Sequence, residues 1–194
     1  MQNRAKGVGG LLCAAALVGC TTQVALDPTG EPAAQVTAGK KISAPVAITY
    51  AIQVDDTVRK FQCGAYSYVL DARNSITNTL DLENEATFVN IVPNEKDATY
   101  VIRIQEDSLE GNIYLIPGFW TASVSANADI VLRVSIMDQQ RREIVRTAIS
   151  GHGTANLPGN CLSAGLPIKQ AIEKAIRRVG DEYAYRVLNT LQLP

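Results

Sequence analysis

Histidine occurs once in the 194 residues, as His152, tryptophan once, as Trp120, and cysteine four times. A single imidazole leaves acid–base chemistry near neutral pH to one candidate, or to carboxylates with displaced pKa values. The chain has no Cys-x-x-Cys pair, no phosphate-cradling glycine loop and no metal-binding helix motif. Two cysteines and one distant histidine do not give tetrahedral ligand spacing, so neither a metal nor a cofactor is expected. Charge of one sign is also missing: 18 Lys and Arg face 19 Asp and Glu. That balance carries no basic footprint, and no nucleic-acid partner is expected. Nor is there an unbroken run of the roughly 20 apolar residues that a membrane-spanning helix requires.

A shorter apolar run does stand at the start. Behind Arg4 and Lys6, Gly7 to Gly19 supplies thirteen residues, four of them glycine. A positive start, a short apolar segment and small residues before a cut are the layout of an export signal. The run closes on Leu17-Val18-Gly19-Cys20, which resembles the lipobox of bacterial lipoproteins. The resemblance implies diacylglycerol on the Cys20 thiol, cleavage before Cys20 and acylation of the new amino terminus. It further implies the outer membrane, at its periplasmic face, because Thr21 stands where an inner-membrane retention signal would place Asp. The expected organisation is a signal peptide over 1–19, a lipidated tether over 20–44 and one globular domain over 45–194.

Removing 1–19 from 194 leaves 175 residues, and 18 minus 2 leaves 16 cations against 19 anions, a net charge of −3. On that resemblance, Cys13 leaves with the signal and Cys20 takes the lipid. Cys63 and Cys161 remain, in a compartment that permits disulfides, and they are expected to pair. Two buried free thiols are the alternative. The closed loop of roughly 100 residues would be worth about 4.7 kcal/mol in the chain-entropy account.

Residues 21–44 mix Thr, Pro, Gly, Ala and Gln with no sustained period, as in a flexible leash reaching at most about 80 Å. Pro45 to Asp55 alternates as a strand. From Gly64, the spacing of Ala65, Val69, Ala72, Ile76 and Leu80 predicts a helix. Thr87 to Val92 and Tyr100 to Gln105 read as strands around a turn at Pro93-Asn94-Glu95-Lys96. Ala122 to Asp138 is the clearest alternation, apolar from Val124 to Ile136 on one face and largely Ser, Asn, Asp and Arg on the other, as in an antiparallel sheet. A charged turn containing Arg141 and Arg142 leads to a partner strand over Ile144 to Ser150, and Gly151 to Pro167 reads as a loop. The last element, Ile168 to Leu191, places Ile168, Ile172, Ala175, Val179, Leu188 and Leu191 on one stripe. Lys169, Glu173, Lys174, Arg177, Arg178, Glu182 and Arg186 stand on a face expected to be solvated.

The order strand, helix, four strands, helix predicts an α+β fold: a two-layer α/β sandwich with a mixed, mainly antiparallel sheet and helices on one face. Behind a lipobox, this order is similar to small lipoproteins of envelope export and assembly: the lipopolysaccharide-assembly lipoprotein LptE, the exopolysaccharide-export lipoprotein PelC, and the sandwich of curli-secretion CsgG and the TolB amino-terminal domain. The resemblance implies a non-enzymatic accessory or assembly subunit working by tethering and docking. It implies partners in the outer membrane, through lipid, and in an envelope protein, with a homo-oligomer left open. A lipid- or glycan-binding module is the alternative.

Individual site candidates are few. Ser150 and His152 could be imagined as a nucleophile and base, but no third orienting group or oxyanion hole is marked, and a turn histidine between glycines is the plainer reading. Asp55-Asp56 and Glu106-Asp107 read as solvated strand ends, so no catalytic residue is assigned. Gly111 to Trp120 connects two expected strands yet carries Tyr114, Leu115, Phe119 and Trp120. Exposed, these are partner-binding residues of the kind that dominate hot spots; otherwise part of the segment is a further strand or core.

Overall fold

The computed structural model describes residues 21–27, 41–52, 58–118 and 121–191. Cys20, Asp55, Asp56, Phe119 and Trp120 lie outside the described residues. Among the described residues, seven strands form two mixed sheets, and two α-helices pack against them. The strands are β1 (Thr21–Gln23), β2 (Val46–Ala51), β3 (Val58–Cys63), β4 (Tyr66–Asp71), β5 (Tyr100–Ile116), β6 (Ser123–Met137) and β7 (Glu143–Pro158). The helices are α1 (Arg73–Thr87) and α2 (Gly165–Leu191). The architecture is the expected α+β sandwich.

The larger sheet has the order β2-β5-β6-β7, with β2 parallel to β5 and the other pairs antiparallel. Its centre is β6, where Val124, Ala126, Ala128, Ile130, Leu132, Val134 and Ile136 are all buried, as their alternation demands. The smaller sheet has the order β1-β4-β3. It joins the larger one through β3: Arg59 Nε donates to the Leu109 carbonyl at 2.8 Å.

Helix α2 lies across β7 and β6, and α1 packs beside α2. Ile168, Ala171, Ile172, Ala175, Ile176 and Val179 form its buried stripe. The stripe rests on backbone rather than side chains at Gly151 and Gly153, where an added Cβ would overlap the Ala175 and Ala171 carbonyls. Glycine here is a requirement of close approach. The two helices meet over a polar chain. Tyr183 Oη donates to Asn84 Oδ1 at 2.6 Å, Asn84 Nδ2 donates to Tyr50 Oη at 3.1 Å, and Tyr50 Oη donates to Asp81 Oδ1 at 2.6 Å. Burial pushes both phenols above their usual range, with the Asp81 hydrogen bond adding to the effect on Tyr50.

Several sequence expectations are corrected. Residues 66–71 are a strand, because Gly64, at φ 58°, closes a two-residue hairpin turn between Cys63 and Tyr66; the helix starts only at Arg73. Thr87 to Val92 makes isolated bridges, Phe88 to Ile42 and Ile91 to Val46, rather than a ladder. Gly151 to Pro158 is strand, not loop. The leash is not free at its ends. Thr21–Gln23 pairs in parallel with Ser67 to Val69, and Asp27 receives Lys169 Nζ at 2.7 Å while its own N–H donates to Glu173. At the other end, Ile42 exchanges backbone hydrogen bonds with Thr87 and Val89. Both ends being held, the 80 Å reach does not apply; residues 28–40 lie outside the described residues.

The charged face of α2 is not simply solvated either. Strand β7 is a sheet edge, with outward-pointing backbone groups that would otherwise be open to pairing. Lys174 Nζ donates to the Thr154 carbonyl at 2.9 Å and Arg178 Nη1 to the His152 carbonyl at 2.8 Å. The Ser150 N–H donates to the Glu182 carboxylate, and Arg186 Nη1 donates to Thr147 Oγ1 at 2.7 Å. Residues four apart on the helix thus meet residues about two apart on the antiparallel strand, and together they close the edge.

Two predictions follow from this packing. Gly153→Val forces α2 off the strand and lowers stability by about 1–3 kcal/mol or more, seen as a lower urea midpoint; Thr154→Val, on the open face, leaves the midpoint nearly unchanged. Replacing Lys174 and Arg178 together by Ser keeps the circular dichroism spectrum but produces concentration-dependent self-association in sedimentation velocity, and an unchanged sedimentation coefficient would show that the edge needs no cover.

Candidate functional site

The strand registers bring distant segments together at one pole of the molecule. Ile116 pairs with Ser123 at the far end of the β5–β6 hairpin, and Ser123 pairs with Pro158 at the end of β7. The Gly159 N–H donates to the Ala122 carbonyl, which holds the following segment at the same end. Cys161 is then bonded to Cys63, with Cα atoms 5.2 Å apart, so the expected disulfide ties the end of β3 to the link between β7 and α2. Tyr68 on β4 donates its hydroxyl to the carbonyls of Cys161 and Leu162. Thr21, paired with Ser67 one residue from the β3–β4 turn, enters the fold at this pole.

The composition of the pole is unusual. Residues 21–26, 61–70, 111–128 and 153–168 contain no Asp, Glu, Lys, Arg or His. Across β5, β6 and β7 the boundary is one residue wide: Gly111, Ala128 and Gly153 form the last uncharged row, and Glu110, Asp129 and His152 form the next. Five of the nine large apolar side chains that stand exposed among the described residues are at this pole. They are Tyr114, Leu115, Ile116, Leu162 and Leu166, at 45 to 67% exposure. The segment from Gly111 to Ile116 is therefore both a strand and an exposed surface, which reconciles the two readings of it. Tyr114 and Leu115 are on the surface, as a contact role requires; Leu162 and Leu166 were missed, because in sequence they lie in a linker and the first turn of a helix.

The opposite pole is charged. Glu95 receives Arg103 at 3.3 Å and Arg141 at 2.7 Å, and Arg142 pairs with Asp138 at 2.8 Å. The Arg142 backbone N–H, aided by its guanidinium, holds the Asp138 carboxyl below its usual range. Burial raises Glu95, but hydrogen bonds from Arg103 and Thr49 outweigh it and the net shift is downward. Arg141 and Arg142 thus serve a charged turn, with their guanidinium groups already occupied.

The other sequence candidates do not converge on a reaction centre. His152 is in a strand, not a turn, and its Nδ1 is 2.7 Å from Asp129 Oδ1 on an open face where both side chains are about half exposed, 49% and 55%. Ser150 is engaged with Glu182 rather than His152. Glu106 is not a solvated end: its side chain is 2% exposed and lies 3.6 Å from Arg59 Nη2, while Asp107, at a bulge, pairs with Arg133. Among the described residues, no three His, Cys, Asp or Glu side chains come together as a metal site would need. Two open clefts are lined by described residues. One, of about 390 Å³, is lined by Val24, Leu26, Val69 and Asp71 and has no aromatic wall. The other, of about 370 Å³, holds Ile48, Ile91 and Tyr50, the last committed to Asp81. No described helix is long and apolar enough to cross a membrane.

One similar solved structure supports the fold, and others resemble it more distantly. A Xanthomonas campestris protein of the DUF330 family superposes with a TM-score of 0.56 at 14% identity, over 88% of this chain and 97% of that one. A minor lipoprotein from Acinetobacter baumannii gives 0.39 at 14% identity, over 79% and 95%. PelC from Paraburkholderia phytofirmans gives 0.31 at 12% identity, over 75% and 92%. No protein-family model and no curated protein matches the chain by sequence.

Replacing Cys63 and Cys161 together by Ala opens a loop of 98 residues. Stability is expected to fall by up to about 4.7 kcal/mol, measured by urea unfolding. Hydrogen exchange should rise first in β1, β3 and β4, the sheet that the bond fastens to the rest.

Proposed function

We propose that this chain is a lipid-anchored lipoprotein of the outer membrane's periplasmic face, serving as a non-enzymatic accessory or assembly subunit of a cell-envelope complex. It works by tethering and docking. The observation that carries this reading is the pairing of Thr21 with Ser67: the residue next to Cys20 is already part of a sheet. Lipid on Cys20 would be joined to the folded body without an intervening leash. One acyl chain gives only marginal membrane binding, and two or more give stable anchoring, so the three chains implied by the lipobox are sufficient. The exposed tip residues Tyr114 and Leu115 supply a contact surface at the same pole.

Cys20→Ser tests the anchor. The parent protein should fractionate with outer membranes, and the variant should appear in the soluble fraction with its fold intact. Mass spectrometry showing an unmodified Cys20, or a retained leader, would overturn the reading. Crosslinking in intact envelopes should then recover a defined envelope protein with the parent and lose it with the variant.

A further inference from the structure

We propose that the uncharged pole is apposed to the bilayer itself, so that the surface around Tyr114, Leu115, Ile116, Leu162 and Leu166 rests among lipid headgroups and the charged pole faces away. This rests on the lipid-anchor reading and specifies what that surface touches. Three independent features coincide at the pole. The first is position. Thr21 is paired with Ser67 there, and consecutive Cα atoms are only about 3.8 Å apart, so chains on Cys20 bring the bilayer to this end of the molecule.

The second feature is the absence of charge. An ionised group approaching a low-dielectric surface loses hydration and resists contact. The four segments that build the pole carry no Asp, Glu, Lys, Arg or His, and such residues resume together at Glu110, Asp129 and His152. An ordinary solvated end has no reason to respect such a boundary across three strands. The third is exposure. Five of the nine exposed large apolar side chains among the described residues gather here, and they come from three segments held in place by the β5–β6 hairpin, the disulfide and the start of α2. Tyr is suited to the headgroup region, with an apolar ring and a polar tip.

Apposition fixes orientation as well as location. The 15-residue β6 runs from the pole to the charged turn. At about 3.4 Å per residue it places that turn at most about 50 Å from the membrane-facing tip. An envelope partner would then meet the ion-paired pole or the flank of the sandwich rather than the tip.

The test uses the full acylated protein in phosphatidylethanolamine and phosphatidylglycerol vesicles whose acyl chains carry bromine. An environment-sensitive fluorophore is attached at Tyr114→Cys, Leu166→Cys or Gln140→Cys, all exposed positions, with circular dichroism confirming the fold. Labels at 114 and 166 should lose most of their emission to the brominated chains and the label at 140 should lose none. Combining the 114 label with Leu162→Lys and Leu166→Lys should restore much of its emission. Equal quenching at all three positions, or none at 114 and 166 in a sample whose amino-terminal peptide is shown by mass spectrometry to be acylated, would overturn the proposal while leaving the anchor intact. Labels shielded from aqueous iodide in native envelopes but unquenched in vesicles would assign the pole to a protein partner instead. A terminal peptide without lipid would remove both readings.

Discussion

The contact between α2 and the backbone of β7 is the constraint on which the arrangement depends. A helix can approach a strand this closely only where no Cβ intervenes, and Gly151 and Gly153 provide two such positions on the buried face, beneath the Ala175 and Ala171 carbonyls. The approach sets the helix axis along the strand. Its next face then overhangs the sheet edge, which is why Lys174, Arg178, Glu182 and Arg186 reach Thr154, His152, Ser150 and Thr147 in sequence. Core packing and edge protection are therefore one geometric event. A helix held further out by larger residues could not bring its short Glu182 side chain to the Ser150 amide.

The same approach positions the far end of the molecule. With α2 laid along β7, its first turn must start near the strand's last residue, and the short segment containing Cys161 spans the gap. Cys63 reaches it because β3 runs along β5, with Arg59 bonded to Leu109 and Phe61 close to Gly111. The disulfide thus closes a position that noncovalent packing has already defined. The small sheet gains from it more than the large one, since β1 is only three residues long and β3 only six.

How far the sequence disclosed this differs from element to element. The alternation of β6 was unmistakable because one face is buried along its whole length, and the stripe of α2 was legible for the same reason at period 3.6. The β3–β4 hairpin was not, because Ala65, Val69, Ala72 and Ile76 also satisfy a helical spacing. Gly64 at the first position of a two-residue turn, before a run of Tyr and Val, was the signal that would have separated the two. The glycines of β7 mimicked a loop because their reason for being glycine lies on α2, more than fifteen residues away. Likewise the charged face of α2 looked solvated, since nothing in a helical pattern states which strand edge it will overhang. Cys63 and Cys161 were expected to pair because the lipobox resemblance assigned Cys13 to the signal and Cys20 to lipid, an argument that needs no knowledge of the fold.

The uncharged pole belongs to the least legible class, and its illegibility has a physical cause. No one of its four segments is remarkable alone: ten or eighteen residues without charge occur in many buried strands, and three of these segments are partly buried here. What distinguishes them is that the fold collects their exposed ends onto one surface, next to the residue that follows Cys20. A chain selected only for solubility would place some of its 37 ionisable Lys, Arg, Asp and Glu residues there, because hydrated charge on an exposed tip carries little cost in water. Their confinement to the rest of the body, with ion pairs gathered around Glu95, Arg141 and Asp138 at the other end, separates two environments along the long axis of the sheet. A lipid on Cys20, as proposed, would convert that separation into an orientation. The end that loses no hydrated charge would be the one drawn toward the membrane, and the end rich in charge would stay in water.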